Sequence, residues 1–333
     1  MKGDALQEKL DWLTLQVRRA QAGRGPAHSG QRASLLRLAQ QELYAACSSN
    51  PVSSDGPAHR GLRQEIFRCL LRAERNLDGL EPRVSRQGCP ERLRGKLLLR
   101  SRWMSVSVDL EHGGRLLELS DKHSERNLLE LPLGRSDGQL PLGCGESFLR
   151  VEAGVRGFAR GKEPERSDLG KRRCLARVQR RGGALRAVLD CRGSLRLGGP
   201  RQALRLTKTV TLPARIRGLA LSYRLLNLSA RPMRLLFASG LSFSLKDAHV
   251  NRMGEVAGLS RFGLADPAAR LELALAFARP ARLWHFPLEV GTGSGRVYRG
   301  VRLMACWPVT LAPGRSWRVG WTLAARSWDA DAF

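Results

Sequence analysis

Histidine is scarce in this chain. Six are present (His28, His59, His112, His123, His249 and His285), none at H-x-x-x-H or H-E-x-x-H spacing and none beside a cysteine pair, so zinc catalysis has no support and no metal is expected. The seven cysteines (47, 69, 89, 144, 174, 191 and 306) are odd in number, widely spread and without a C-x-x-C pair. That usage predicts reduced thiols in a cytoplasm and no disulfide framework. No stretch approaches the ~18–20 uncharged apolar residues of a membrane helix. The opening MKGDALQEKLDW carries charges where a signal peptide needs its apolar core, which again points to the cytoplasm. Phosphate-cradling G-x-x-x-x-G-K-[ST] and dinucleotide G-x-G-x-x-G fingerprints are missing, so no cofactor is expected. GESFL at 145–149 has a serine after Gly-Glu but lacks the second glycine of a nucleophile elbow.

What is present is an ordinary globular composition, 42% hydrophobic and 26% charged over 333 residues, enough for two compact domains. The formal charge of +27 comes almost wholly from arginine, since only eight of the 57 basic residues are lysine. An arginine excess spread over an Ala-, Gly- and Leu-rich chain reads as codon bias, and nucleic acid is not the expected partner. One concentration stands out, eleven basic residues against three acids between Arg156 and Arg186, with Lys171, Arg172, Arg173, Arg177, Arg180 and Arg181 at its heart. Such a run is either a solvated loop-and-hairpin surface or a site for a polyanion or protein partner.

The hydrophobic period changes along the chain. Leu6, Leu10, Leu13 and Val17 form one helical stripe. A second helix is predicted over about 32–47 and a third over about 61–77, giving a helical bundle in residues 1–80. Gly79, Pro82, Gly88 and Pro90 mark a linker over 81–95. From Lys96 to the end the period is two, with Leu204, Leu206, Val210 and Leu212 alternating with polar neighbours, as do Leu219, Leu221, Tyr223 and Leu225. Turn signals such as Gly182-Gly183 and Pro313-Gly314 separate consecutive strands. The fold class expected is α+β and mainly β, a helical bundle followed by one large antiparallel β-sandwich over 96–333.

Four segments in order carry a resemblance to a known family. Residues 34–77 contain Asn50, Gly56, Leu62-Arg63 and Ala73-Glu74; 112–130 contain Gly113, Gly114, Glu118, Leu119 and Asn127. LTKTVTLP with LALSYRLLNLS (206–229), and LWHFPLEVGTGSGRVYRGVRLMACWPVTLAPGRSW (283–317), supply the other two. Together they resemble the region that follows the catalytic barrel in glycoside hydrolase family 57, the α-amylase and 4-α-glucanotransferase family. The resemblance implies a galactose-mutarotase-like supersandwich and a place in carbohydrate metabolism. That family's catalytic Glu and Asp lie on a barrel preceding these helices, and retaining glycosidases need both carboxylates. Neither is expected in this chain, so a non-catalytic role is expected, either binding α-glucan or docking on a separately encoded barrel.

Candidate glycan contacts follow from the same segments. Trp284, His285, Tyr298 and Trp307 supply aromatic faces on which sugar rings stack, with Trp284 and Trp307 alternatively inward core residues. Glu118 and Asn127 could bind a sugar hydroxyl, with a turn-capping or buried hydrogen-bonded role the commoner reading. Lys208, on an otherwise apolar strand face, could be a ligand contact; an edge-strand position or a stem lying along the surface is the commoner explanation. Trp12, Leu15, Leu43, Tyr44, Phe67 and Leu71 give the helices more apolar area than a small bundle buries by itself, which predicts a partner surface or self-association unless the sandwich covers it.

Overall fold

The computed structural model describes residues 5–22, 29–48, 59–80, 91–93, 95–129, 145–245, 250–292 and 295–328. Three long helices come first: α1 (Ala5–Ala22), α2 (Ser29–Ser48) and α3 (His59–Leu80). Leu6, Leu13, Val17, Ala39, Leu43, Ile66, Phe67 and Leu70 meet in one apolar core, on the stripes the helical period defines. Asn50 and Gly56 lie outside the described residues.

The strands form two antiparallel sheets. The smaller runs in chain order, β1 (Glu91–Leu93), β2 (Lys96–Arg100), β3 (Met104–Asp109), β4 (Arg115–Asp121) and β5 (Arg126–Asn127). Thus the sheet begins inside the stretch expected as linker: Glu91–Leu93 pairs with Lys96–Leu98 as a hairpin arm. The rest of that stretch, 81–90 and 94, lies outside the described residues. The two faces of this sheet differ. Leu97, Leu99, Val106, Val108 and Leu119 join the main core, whereas Leu98 packs on the helical core. The sheet is therefore a middle layer between helices and sandwich.

The larger sheet has ten strands: β6 (Gly145–Leu149), β7 (Leu175–Arg181), β8 (Ala184–Leu195), β9 (Gln202–Leu212), β10 (Gly218–Asn227), β11 (Met233–Phe243), β12 (Gly254–Asp266), β13 (Leu271–Thr292), β14 (Gly295–Leu311) and β15 (Ser316–Ser327). A short helix α4 (Val155–Ala159) follows β6. The spatial order is β6-β11-β14-β13-β15-β10-β9-β8-β7, with β12 alongside β13. The long strand β13 is a fork. Its first part, Leu271–Phe277, pairs with β15, and its second, from Arg282 onward, pairs with β14. The partner β12 carries register shifts between Val256 and Arg261 at that same level, and Pro280, which has no N–H to give a ladder, stands between the two pairings. The sheet bends there, so that Lys208 on β9 comes within 2.7 Å of Glu146 on β6.

Local turn chemistry follows the glycines. Gly182 and Gly183, both at positive φ, form the two-residue tip joining β7 to β8, where Arg181 faces Ala184. Gly113 and Gly114 also lie at positive φ, and a Cβ on Gly113 would sit 2.8 Å from the Leu169 carbonyl oxygen.

One expectation about cysteine is corrected. Cys174 and Cys191 form a disulfide, Cα–Cα 4.5 Å. They extend the β7–β8 ladder by one pair and are equidistant from the Gly182-Gly183 tip, which places them directly opposite each other. Cys47, Cys69 and Cys306 are free thiols.

Candidate functional site

A cluster of buried ion pairs lies in the seam between helices and small sheet. Lys9 of α1 reaches two carboxylates, Glu74 Oε2 on α3 at 2.7 Å and Glu118 Oε1 on β4 at 2.6 Å. Lys122 binds the other oxygen of Glu74 at 2.9 Å and Asp78 at 2.6 Å, and Arg100 closes the chain on Asp78 at 3.0 Å. Lys9, Glu74, Glu118 and Lys122 are all buried, and Ser105 and Ser120 add hydroxyl donors to the carboxylates. Burial alone would lower the Lys9 pKa, but Glu118 and Glu74 outweigh it and hold the ammonium above its usual range. Burial likewise opposes ionisation of Glu74, and Lys122, Lys9 and Arg100 reverse it, keeping the carboxyl well below the carboxylate range. Two carboxylates so tightly ion-paired and sealed have no access to a substrate. The cluster joins the helices to the sandwich, and Glu118, a candidate sugar contact by sequence, belongs to it.

The other candidates are dispersed in the same way. Asn127 is buried, its Oδ1 accepting the amides of Leu119 and Leu129 at 3.2 Å, so it anchors a turn. Trp284 is wholly buried against Phe158 of α4 and Phe286, and its Nε1 donates to Glu255 at 2.8 Å. Trp307 is buried too, in the main core beside Phe237 and Phe277. The register explains the separation. Trp284 faces Met304, three residues from Trp307, so the two indoles point to opposite sides of the sheet. His285 and Tyr298 are half-buried; His285 faces Leu303, about 16 Å along β14 from Tyr298. The four aromatics form no shared platform.

Lys208 corrects the edge-strand expectation. It lies on β9 between β8 and β10, is 1% exposed, pairs with Glu146 and donates to the Gly114 carbonyl at 2.9 Å. Its parity on β9 is that of Leu204, Leu206, Val210 and Leu212, so the alternation itself places the ammonium on the inward face; the partner that permits it there, Glu146, is distant in sequence. Nearby, the Tyr223 hydroxyl and Trp321 Nε1 share Ser239 Oγ at 2.8 and 3.0 Å. The basic stretch is surface: Lys171, Arg172, Arg173, Arg177, Arg180 and Arg181 are all exposed, the last three on the edge strand β7. Arg172 pairs with Asp168 and Arg173 with Glu111. Among the described residues no group of three or more His, Cys, Asp or Glu could hold a metal ion, and no helix is long and apolar enough to cross a membrane.

The helical apolar stripe is mostly covered. Trp12, Leu43, Phe67 and Leu71 are buried, with Arg100 of the small sheet stacked 4.8 Å over the Trp12 ring. Only Leu15 and Tyr44 of the six remain exposed, joined by Leu38 of α2.

A forked two-layer sandwich with a helical layer sealed onto a small sheet defines the class, a galactose-mutarotase-like β-supersandwich with an N-terminal helical unit. A fold of this kind is seen over 72% of this chain in a galactose mutarotase-like protein from Clostridium acetobutylicum, 10% identical, TM-score 0.51, with 98% of that protein covered. The 4-α-glucanotransferase from Thermococcus litoralis matches more of it: 16% identity, TM-score 0.67, 89% of this chain. This chain spans about half the length of that enzyme, 49%. No curated protein matches the sequence. The profile of the C-terminal domain of α-amylase/4-α-glucanotransferase matches residues 145–320, from β6 into β15. The chain belongs to that family.

Proposed function

We propose that this protein serves α-glucan metabolism as a non-catalytic helix-and-sandwich unit, binding α-glucan or docking on a catalytic barrel carried by another chain. The observation that supports this reading most is the extent of the match to the glucanotransferase, 89% of the chain, which takes in the helices as well as the strands. A unit built to accompany a catalytic domain needs its helices fixed in place, and the Lys9–Glu74–Glu118 cluster does that. The exposed Leu15, Leu38 and Tyr44 are the apolar side chains the helices still offer to a partner. The cytoplasm is the location proposed with this reading. The Cys174–Cys191 bond is the observation that weighs against a reducing compartment.

The test is affinity electrophoresis in gels containing glycogen or amylopectin, alongside turnover assays on maltodextrin and size measurement with a candidate barrel protein. Retardation by glucan, or a stable complex, without turnover by the chain alone is the expected result. Free migration with no complex, or turnover abolished by changing one acid of this chain, overturns it.

A second reading has its own observation. Six exposed basic residues gather on and beside the edge strand β7, which is paired with β8 on one side, with Leu175 exposed among them, a surface suited to a polyanion or an acidic protein segment. Heparin binding that stays tight near 0.15 M salt supports it. Binding that collapses as salt rises marks mere counterion release.

A further inference from the structure

Beside that edge lies a pocket of about 240 Å³ that the glucan reading does not use. Residues 166–168 run antiparallel to 194–196: the Arg196 amide donates to the Arg166 carbonyl at 2.8 Å and the Asp168 amide to the Ser194 carbonyl at 3.1 Å. Ser167 faces Leu195, and Leu195 points into the core, so Arg166 and Arg196 stand directly opposite each other on the outer side. Directly opposed side chains in an antiparallel pair start ~4.5–5.5 Å apart at Cβ, and like charges there repel. Arg201 lines the same pocket. Among the described residues none of these three guanidinium groups forms an ion pair. The acids nearby are engaged elsewhere. Asp168 is held by Arg172 at 2.6 Å and by the Ser194 amide at 2.7 Å, and Glu165 accepts the amides of Phe148 and Ser167, each at 3.0 Å.

We propose that Arg166, Arg196 and Arg201 form a site for a phosphate monoester carried on a small sugar. Counting Arg172 with the three lining arginines against Asp168 and Glu165 leaves two positive charges in excess. A phosphate monoester carries about −1.5 to −2 at neutral pH and presents three acceptor oxygens to planar guanidinium donors. The pocket is smaller than the ~300–1,000 Å³ of drug-sized ligand sites, which suits a monosaccharide phosphate and excludes a helical polyanion from its interior. Ser167 and Ser194 line the same wall; the Ser194 hydroxyl donates to Asp168 at 3.3 Å, which leaves its oxygen to accept from a sugar hydroxyl. This inference stands apart from the glucan reading: the pocket can select an anion in a protein that binds no polysaccharide.

Calorimetric titration of the full chain in phosphate-free buffer, with glucose 6-phosphate, inorganic phosphate, sulfate and glucose as probes, tests it. Saturable binding of glucose 6-phosphate is expected, with phosphate weaker and glucose silent. Arg196→Ala and Arg201→Gln should each weaken it by about tenfold or more, as loss of a charged hydrogen bond does. Arg177→Ala on the edge strand should leave it unchanged. Both pocket residues are exposed, so a circular dichroism spectrum like that of the parent protein is expected and separates lost binding from lost fold. Binding of inorganic phosphate equal to the sugar phosphate removes the sugar from the proposal. No saturable binding by any anion, or equal losses in the Arg177→Ala variant, overturns the site altogether.

Discussion

Replacing Lys9 by methionine tests the seam between helices and sandwich. The substitution keeps most of the stem volume and removes the charge. Glu74 retains Lys122 at 2.9 Å, but Glu118 loses Lys9 and, among the described residues, keeps the Ser120 hydroxyl alone. Glu118 is 3% exposed, so an uncompensated carboxylate is left in the seam. Breaking a buried pair in this way costs ~3–5 kcal/mol. A second substitution, Glu118→Gln, removes the stranded charge, so the double variant should recover part of the loss, with a coupling of ~1–3 kcal/mol. Urea unfolding followed by far-UV circular dichroism, with hydrogen exchange of the α1 amides as the local probe, measures both. Helix exchange should accelerate in Lys9→Met while the β9 and β10 amides stay protected. A Lys9→Met variant within ~0.5 kcal/mol of the parent, or equal loss in α1 and the sandwich strands, refutes the claim that this cluster holds the helices in place.

Helix docking should be pH-dependent on both sides. Glu74, depressed, contributes above its unfolded value of ~4.3 and loses that contribution as pH falls; Lys9, raised, contributes below ~10.4 and loses it as pH climbs through its higher folded value. Asp78, raised chiefly by burial, works against Glu74 on the acid side and so reduces the acid loss; exchange of α1 across pH reads the balance. The Cys174–Cys191 bond closes a 17-residue separation, so Cys174→Ser should lower stability by ~3 kcal/mol, and alkylation of all seven cysteines in denatured, unreduced protein would show the bond absent. Trp284→Ala should cost ~3–5 kcal/mol in urea unfolding and leave glucan retardation unchanged in the folded fraction, since its ring packs on Phe158 and faces no solvent.

Period and turn chemistry were enough to read the three helices, the strand-rich remainder and the Gly182-Gly183 hairpin, because each is set by residues close in sequence. Long-range chemistry was not readable. Lys9 stands at i+3 from Leu6 and i−4 from Leu13, beside the apolar stripe, but it meets Glu74 and Glu118 across 65 and 109 residues, and no local pattern names those partners. Trp284 and Trp307 looked like one aromatic motif until the register put Met304 opposite Trp284. Only the disulfide had an unread signal: two cysteines symmetric about a two-glycine tip can face each other once the hairpin is accepted. Of the pocket, Arg166 lay inside the basic stretch and Arg196 and Arg201 beyond it, joined only by the pairing of 166–168 with 194–196.

The reach of Lys9 sets an order on the birth of the molecule. The three helices leave the ribosome before the strands and can find one another, yet their charged face stays unfinished until β4 arrives with Glu118 and the turn after it with Lys122. Until then Lys9, Glu74 and Asp78 sit on a surface that water must hydrate, and the ionic face of the helices stays open. The fourth strand is the latch. Its arrival turns a solvated ionic face into a sealed one, and ties the helices to a sheet made after them.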